Sequence, residues 1–382
     1  MADQTPTGQI AAIITEQFGT APARPERTTY LPTGIPVLDF LMLAPQGRSG
    51  GLAQGKNIEL WGEQNNGKTL LCYLIAAMYQ EFFPDSPVVW FDSENSFDMD
   101  FAERIGVDLD PNKLMLVPSA DLEQFGSTMS ALLRKKAPLR LIIVDSVANL
   151  VDAQASKDGL HGGWGEKTGV ANRPRQLARV MREINHRLIA YEPDERPTLV
   201  LVNQAIAAIG NTYQMHERPG GNGYKHNIQV SFIIRGSNRY PEDDKTKHPT
   251  HFEVRLQTTR SKISPALMTD KDSHIHVYFD NALRATRTAN IMRSAIALGI
   301  IKRNGAWYSM NAKRDGEVVE LFKLQGEAKV FDYLLRRPRL RARMYERIGS
   351  KMIKAASTLR DRYLVEDDNE LDAGDSRTET EE

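Results

Sequence analysis

The sequence contains one cysteine, no long apolar run and no net charge, and each shortage excludes a class of protein. Its single cysteine, Cys72, cannot form a disulfide within the chain and excludes a cysteine-based zinc site, so we expect a reducing compartment. No apolar window approaches the length that spans a bilayer, and the first residues lack the basic and apolar regions of a secretory signal. We therefore expect a cytoplasmic protein with no membrane partner.

The formal net charge of zero conceals a separation of charge along the chain. Arginine and lysine are concentrated in residues 334–362, whereas residues 366–382 are mostly acidic. A basic block can be only the solvated face of a helix, so this pattern does not establish a binding surface by itself. The acidic composition predicts a disordered tail over residues 365–382.

A short amphipathic segment precedes the main body of the chain. Residues 8–18 have apolar side chains at nearly helical spacing, and a polar stretch with several prolines follows. We predict an N-terminal helix and linker over residues 1–33. Because so short a helix has little partner surface of its own, it must dock on the core or on another subunit. Its apolar residues are Ile10, Ile13, Ile14 and Phe18.

Short apolar runs then alternate with helical segments, which predicts an α/β fold. The continuously apolar runs at 141–145 and 198–203 indicate strands buried on both faces, as in a mostly parallel central sheet flanked by helices. We place this core at residues 34–287 and a small C-terminal domain at residues 288–364. Three later apolar segments without intervening helices should extend the sheet as antiparallel or edge strands, at 229–236, 251–259 and 274–280.

A glycine-rich loop with the spacing G-x-x-x-x-G-K-[ST] follows the strand IELW and precedes a helical segment. This context is the one that an ATP-binding P-loop requires. Backbone N–H groups of such a loop surround the phosphates, Lys68 supplies positive charge, and the hydroxyl of Thr69 binds Mg²⁺. The residues that we predict to bind the nucleotide here are Gly62, Glu63, Gln64, Asn65, Asn66, Gly67, Lys68, Thr69 and Leu70.

Polar residues end three further predicted strands, and the carboxyl ends of parallel strands meet at one edge of a sheet. Asp145 ends a fully apolar strand, as the Walker B carboxylate that holds Mg²⁺ does. Asp92 and Glu94 follow another strand; Glu94 is our candidate general base, and the alternative is that either is a capping or surface acid. Gln204 ends a third strand, where it can contact a γ-phosphate and report its presence.

Two long irregular segments leave the same edge, at about residues 156–168 and 205–226. Irregular loops of this length within a compact domain are usually functional or disordered. They mix aromatic and basic side chains, as surfaces that hold single-stranded nucleic acid do, although each residue alone is as readily simple loop surface. The candidate DNA-binding residues in and beside them are Trp164, Lys167, Arg173, Arg175, Tyr213, Arg218, Gly220, Gly221, Asn222 and Lys225.

A series of stretches between residues 8 and 310 occurs in a characteristic order: ITEQFG, LPTGIPVLDFLM, GLAQGKNIELWGEQNNGKT, FDSENSFDMDFAERIGVDLD, LIIVDSVANL, LVNQ, PGGNGYKH, RSKISPA and LGIIKRNGAWYS. Together they resemble the RecA family of recombinases. The resemblance implies a RecA-like P-loop NTPase core and a DNA-dependent ATPase that uses ATP and Mg²⁺. It further implies helical filaments on single-stranded DNA, pairing with double-stranded DNA, strand exchange, and help from single-strand-binding and loader proteins.

By position, the resemblance implies roles for individual residues. The phosphate lysine, magnesium hydroxyl, Walker B acid, catalytic glutamate and γ-phosphate sensor fall on Lys68, Thr69, Asp145, Glu94 and Gln204. Asp98 and Phe101 fall on adenine contacts, and phenylalanine can stack as the tyrosine usual in bacterial members does. Arg260 and Lys262 match basic residues that reach the neighbouring subunit's γ-phosphate, and arginine adds a planar fork of donors. The two irregular segments correspond to DNA-binding loops.

The chain also departs from the bacterial pattern. The stretch after Gln204 lacks the usual basic residue, the first loop is longer and contains tryptophan, and residues beyond 310 match poorly. These departures indicate a diverged member, such as one encoded by a bacteriophage. The alternatives are a recombination mediator that binds DNA without exchanging strands, a hexameric helicase of the same fold, and a P-loop small-molecule kinase.

Overall fold

The computed structural model describes residues 5–18, 28–41, 50–118, 121–150, 172–207, 216–217, 219–239, 250–263, 274–279, 282–314 and 317–352. The strands are β1 (Tyr30–Leu31), β2 (Leu52–Ala53), β3 (Asn57–Gly62), β4 (Val88–Asp92), β5 (Leu114–Pro118), β6 (Leu141–Asp145), β7 (Thr198–Gln204), β8 (Ile206–Ala207), β9 (His216–Glu217), β10 (Val230–Arg239), β11 (His251–Ser261), β12 (His274–Tyr278), β13 (Lys302–Asn304), β14 (Trp307–Arg314) and β15 (Glu317–Gln325). The helices are α1 (Pro6–Phe18), α2 (Pro36–Leu41), α3 (Lys68–Phe82), α4 (Met99–Ile105), α5 (Leu122–Arg134), α6 (Asn172–Leu188), α7 (Gly221–His226), α8 (Ala282–Ala297), α9 (Glu327–Leu335) and α10, which runs from residue 338 to the last described residue, 352.

The centre of the molecule is an eight-stranded sheet in the order β12-β11-β10-β3-β7-β6-β4-β5. Pairing is parallel from β10 through to β5, and it becomes antiparallel where β11 joins β10 and β12 joins β11. The predicted α/β fold class is therefore confirmed. The later apolar segments extend the sheet. Strands β11 and β12 do so as the expected antiparallel strands, whereas β10 is an inner strand that pairs in parallel with β3 and antiparallel with β11.

Alternate residues of the central strands enter two apolar layers on opposite faces of the sheet. On β4, Val88 and Trp90 pack with α3 and α4, whereas Val89 and Phe91 pack with α5 and α6. Strand β3 is buried along its whole length, as are β4 and β6. Burial on both faces explains why these segments are almost continuously apolar in the sequence.

Helix α8 connects the core to the C-terminal unit. Its first residues, Ala282 and Leu283, pack in the main core, whereas Ile291 and Met292 belong to a separate apolar cluster formed with β14, β15, α9 and α10. The boundary that we predicted between residues 287 and 288 lies inside this helix. The helix is therefore shared by the two units.

Helix α1 presents its apolar face to solvent within the described part of the chain. Ile10 is 58% exposed and Ile13 is 60% exposed. The side chain of Phe18 lies outside the description. We expected this helix to dock either on the core or on another subunit. The described core of the same chain does not cover these two isoleucines. Among the described residues, no helix is long and apolar enough to cross a membrane.

Part of the second segment predicted as irregular is ordered. Residues 221–226 form α7, and β8 pairs with β9. The helix begins after Gly220, whose φ of 110° is a left-handed conformation that favours glycine, and it buries the ring of Tyr224 completely. Its glycine-rich composition hid this helix from the sequence pattern. The predicted loop at 156–168 and the acidic tail lie outside the described residues.

Candidate nucleotide site and nucleic-acid interface

The P-loop connects β3 to α3, and two glycines allow its close packing. Gly67 has a φ of 85°, and a Cβ there would lie 2.7 Å from Cε1 of Phe252. A Cβ on Gly62 would lie 2.4 Å from the carbonyl oxygen of Ile234. The loop therefore fits against β10 and β11 only with glycine at these two positions.

Lys68 is held inside this loop. Its Nζ donates to the carbonyl oxygens of Gly62 at 3.0 Å and Glu63 at 2.5 Å. Burial lowers the pKa of the Lys68 amine, and the nearby carboxylates of Asp145 and Glu94 oppose that shift. The ammonium group is thus positioned at the loop, where phosphate oxygens could take the place of these carbonyl groups.

Thr69 and Asp145 form the pair expected to bind magnesium. The hydroxyl of Thr69 donates to Oδ2 of Asp145 at 2.7 Å. Burial raises the pKa of Asp145 to about 6; the Thr69 hydrogen bond opposes the shift, and the negative charges of Glu94 and Asp92 add to it. A cation would relieve this local excess of negative charge.

The donor set at Thr69 and Asp145 fits Mg²⁺ bound together with phosphate. Among the described residues, no group of three or more His, Cys, Asp or Glu side chains could hold a metal ion. Mg²⁺ is usually held by one or two protein oxygens, water and substrate phosphates, so an all-protein cage is not needed.

Glu94 and Gln204 meet across the sheet edge. The Nε2 group of Gln204 donates to Oε1 of Glu94 at 2.8 Å, and the hydroxyl of Ser146 donates to the same oxygen at 2.5 Å. Ser146 follows Asp145 at the end of β6, and the Asp145–Ser146 peptide bond is cis. Sequence reasoning did not single out Ser146.

Asp92, the other acid considered after β4, has a different environment. It is buried, and its carboxylate accepts hydrogen bonds from the backbone N–H groups of Glu94, Ser96 and Phe97. These bonds hold the turn that carries Glu94. The capping alternative therefore describes Asp92, and Glu94 is the acid that lines the cleft.

The cleft has a volume of about 570 Å³ and extends from the P-loop to Asp98 and Phe101. The Asp98 carboxylate caps α4 by accepting from the backbone N–H of Phe101 at 2.9 Å. The ring of Phe101 lies 5.6 Å from that of Phe279, centre to centre. Six cleft residues were not anticipated from the sequence: Tyr73, Ser96, Val202, Asn238, Phe252 and Phe279.

Arg260 and Lys262 lie away from the P-loop of their own chain. Because β11 runs antiparallel to β10, its last residue, Ser261, pairs with Val230, which in turn pairs with Ile58 near the start of β3. Lys262 Nζ donates to the carbonyl oxygen of His226 at 2.6 Å. Burial lowers the pKa of Lys262, and the charge of Arg260 adds to that effect.

The described DNA-binding candidates lie on two packed helices. Gly223 of α7 lies so close to α6 that a Cβ there would be 2.8 Å from the Cβ of Ala178. A Cβ on Gly221 would likewise lie 3.4 Å from the Cβ of Pro174, so the helix that carries Asn222 and Lys225 packs on the helix that carries Arg175. Gly220 and Gly221 begin α7, and Arg173 lies on α6, with its side chain outside the description. The candidates outside the described residues are Trp164, Lys167, Tyr213 and Arg218.

Comparison with known proteins identifies the family. The family model of the RecA N-terminal domain matches residues 30–283, which include the sheet, the P-loop and the cleft. The chain belongs to the RecA family. It is 27% identical over 361 residues to Protein RecA of Ruminococcus albus, an alignment that covers 92% of this chain and 82% of the relative.

Two other RecA relatives are equally distant. Protein RecA of Thermus thermophilus is 26% identical over 335 residues, covering 86% of this chain and 88% of the relative. Protein RecA, chromosomal, of Lactococcus lactis is 26% identical over 334 residues, covering 84% of this chain and 79% of the relative. RecA membership supports a recombinase-type function in general, with DNA binding and ATP hydrolysis of the P-loop class.

Proposed function

We propose that this RecA-family chain is an ATP-dependent DNA recombinase. It forms helical filaments on single-stranded DNA, binds ATP with Mg²⁺ between adjacent subunits, and catalyses homologous pairing and strand exchange. The observation that carries the proposal is the hydrogen bond from Gln204 to Glu94 inside a cleft with an intact P-loop. A carboxylate that could activate water is thereby joined to the residue from which the second DNA-binding segment starts.

In this proposal the chain's own side chains perform hydrolysis. Lys68 exchanges its bonds to loop carbonyl groups for bonds to phosphate oxygens, and Glu94 orients the attacking water and accepts its proton. Gln204 then bonds the γ-phosphate instead of Glu94, so nucleotide occupancy changes the start of the segment at 205–226. Thr69 and Asp145 would hold Mg²⁺, which neutralises charge on the phosphate groups.

Two features support an assembly of several subunits. Arg260 and Lys262 lie toward the opposite ends of the strands from Lys68, so their charges are available to a neighbour's nucleotide rather than their own. The exposed isoleucines of α1 offer an apolar face that a second copy of the chain could cover. Both are expected of a filament in which ATP joins adjacent subunits.

A strand-exchange assay with ATP and Mg²⁺, combined with electron microscopy on single-stranded DNA, tests the proposal. We expect helical filaments and strand-exchange products in the presence of ATP or an ATP analogue, and neither in its absence. Closed rings that unwind duplex DNA would identify a helicase instead. DNA-bound protein that gives no exchange product would identify a mediator.

A further inference from the structure

A buried carboxyl group joins three neighbouring strands beside the nucleotide cleft. Glu59 of β3 has no exposed surface. Its Oε1 accepts from Nδ2 of Asn203 on β7 at 3.0 Å, and its Oε2 accepts from the hydroxyl of Ser231 on β10 at 2.8 Å. Burying a carboxyl group costs free energy that an apolar side chain would not, so filling space does not explain its presence.

At the nucleotide end, these hydrogen bonds reach the predicted phosphate sensor. Oδ1 of Asn203 accepts from the backbone N–H of Gln204 at 3.0 Å, while its Nδ2 also donates to the carbonyl oxygen of Pro219 at 3.1 Å. Pro219 immediately precedes the glycines that begin α7. Asn203 thus connects the sensor to the point where the second predicted DNA-binding segment returns to the core.

At the other end, the hydrogen bonds reach a β-bulge. The hydroxyl of Thr259 lies 3.1 Å from both the carbonyl oxygen and the hydroxyl of Ser231, and it accepts from Nε1 of Trp61 at 3.2 Å. The register of β10 and β11 shifts between Ser231 and Phe232, which leaves Thr259 as the extra residue. Bulges change the direction in which nearby side chains point, and the next residue is Arg260.

We propose that Glu59 is a positioning residue that couples the two ends of this chain of hydrogen bonds. When Gln204 leaves Glu94 for a γ-phosphate, the bonds through Asn203, Glu59 and Ser231 transmit the displacement to the bulge at Thr259. Occupancy of one nucleotide site thereby sets the position of Arg260 and Lys262, which face the next subunit. This inference rests on the function proposed above and adds the route by which adjacent sites communicate.

The physical basis is the high cost of breaking a buried polar network. Each member of a satisfied network holds its neighbours in place, because an unpaired buried group costs more free energy than a shifted pair. A displacement at Asn203 is therefore accommodated by movement along the buried bonds through Glu59 and Ser231 rather than by their loss. The route ends at Thr259, an exposed residue whose hydroxyl accepts from the buried Trp61. Removing one hydroxyl should interrupt the route at a known point.

Thr259 and Ser231 provide the variants that test this route. Thr259→Val removes the hydroxyl while keeping the shape, Thr259→Ser keeps the hydroxyl, and Ser231→Ala interrupts the chain one step earlier. Thr259 is solvent-exposed, so both of its substitutions should fold. The matched control is Thr198→Val, which removes a buried hydroxyl at the opposite end of β7, where it bonds Tyr79 at 2.7 Å.

Hydrogen–deuterium exchange with and without an ATP analogue and Mg²⁺ supplies the readout. In the parent protein, the analogue should change exchange in peptides covering residues 216–227 and 257–263. In Ser231→Ala and Thr259→Val, the response at 216–227 should remain and that at 257–263 should disappear, with unchanged nucleotide affinity. Thr259→Ser and Thr198→Val should behave as the parent does.

A second readout is the ratio of single-stranded DNA affinities with the ATP analogue and with ADP. Allosteric coupling typically changes affinity by about 5–150-fold, and Ser231→Ala should move this ratio toward one. The inference is overturned if hydrogen exchange at residues 257–263 of the parent protein does not change with nucleotide. It is also overturned if exchange at these residues in Thr259→Val changes as much as in the parent. A parent protein that shows the exchange response but binds no DNA would leave the inference standing and remove the proposed function.

Discussion

The side-chain amide of Gln204 donates to the carboxylate of Glu94 across 2.8 Å, although the two residues are 110 positions apart in the chain. The contact exists because β4 and β7 are strands of one parallel sheet and end at the same edge. It gives the cleft a carboxylate whose partner is neutral. The predictions below begin with this carboxylate.

Glu94→Gln should retain binding of nucleotide and DNA but lose hydrolysis by about 10²–10⁴-fold, because general-base catalysis contributes on that scale. The amide keeps the shape of the side chain and can still accept from Ser146. Lys68→Ala should abolish turnover through the loss of phosphate contacts. Steady-state ATPase rates, paired with nucleotide-binding titrations, measure both effects. Hydrolysis at the parent rate in Glu94→Gln would show that another group activates water.

Asp145 should make both stability and magnesium binding depend on pH. Its pKa rises from 3.8 to about 6 on folding, so the folded state holds the proton more tightly between these values. This group therefore stabilises the nucleotide-free fold least above pH 6, and its contribution grows as the pH falls toward 4. Asp145→Asn should raise the melting temperature at pH 8 and change it little at pH 4. Binding of Mg²⁺ with nucleotide should instead weaken below pH 6 in the parent, because the ion requires the ionised carboxylate.

Arg260→Ala and Lys262→Ala should each reduce DNA-stimulated hydrolysis by acting on the neighbouring subunit. Mixing either variant with Lys68→Ala should restore part of the activity, because a mixed interface contains one intact composite site. Native gel analysis must first show that the variants assemble. If assembled mixtures recover no activity, these residues act on the nucleotide of their own subunit.

Deleting residues 1–25 should leave a folded core that assembles poorly and hydrolyses ATP slowly. Ile10 and Ile13 are 58% and 60% exposed, so their removal should cost the core little. Sedimentation with ATP analogue and DNA compares assembly, and circular dichroism verifies folding. The point variants Ile10→Ser and Ile13→Ser should reproduce the defect if the apolar face is responsible.

Removing the acidic residues 366–382 should strengthen binding of double-stranded DNA more than of single-stranded DNA. A tethered polyanion is held near the basic surface at roughly millimolar effective concentration, so weak contacts can mask that surface. The basic surface that we expect the tail to contact is the arginine-rich segment at 336–343. Within it, Arg341 donates to the carbonyl oxygens of Leu334 and Leu335, so it is less available to the tail than the exposed arginines are. Of the exposed arginines, Arg337 also bonds a carbonyl oxygen, that of Tyr333 at 3.1 Å, so the candidate partners of the tail are Arg336, Arg339 and Arg343.

Titration of duplex affinity at increasing salt measures the effect of the tail. The advantage of the truncated protein should shrink as salt rises, because counterion release weakens the DNA contact and screening weakens the tail. Replacing Arg339 and Arg343 with alanine should remove the advantage at low salt. Equal duplex affinity of the full and truncated chains at low salt would assign the tail no role in DNA binding.

The sequence was sufficient where a function depends on a local pattern. The P-loop and the strand ends at Asp145 and Gln204 could be located because each follows a continuously apolar strand, and parallel strands bring such ends together. Phe252 and Asn238 could not be found in this way. They reach the cleft through an antiparallel pair whose register has no sequence signature. Glu59 appears in the sequence only as one polar residue inside a strand, and its partners lie on β7 and β10.

Helix α8 contributes residues both to the main core and to the C-terminal apolar cluster, so the two should unfold together. At about 1.5 Å per residue, the helix extends about 20 Å from Ala282 in one cluster to Ala295 in the other. A helix interrupted at its middle would lose backbone hydrogen bonds on both sides of the break, so neither cluster can melt without exposing part of the other. Thermal denaturation of the chain should therefore proceed cooperatively across residue 288, with no stable C-terminal fragment left behind.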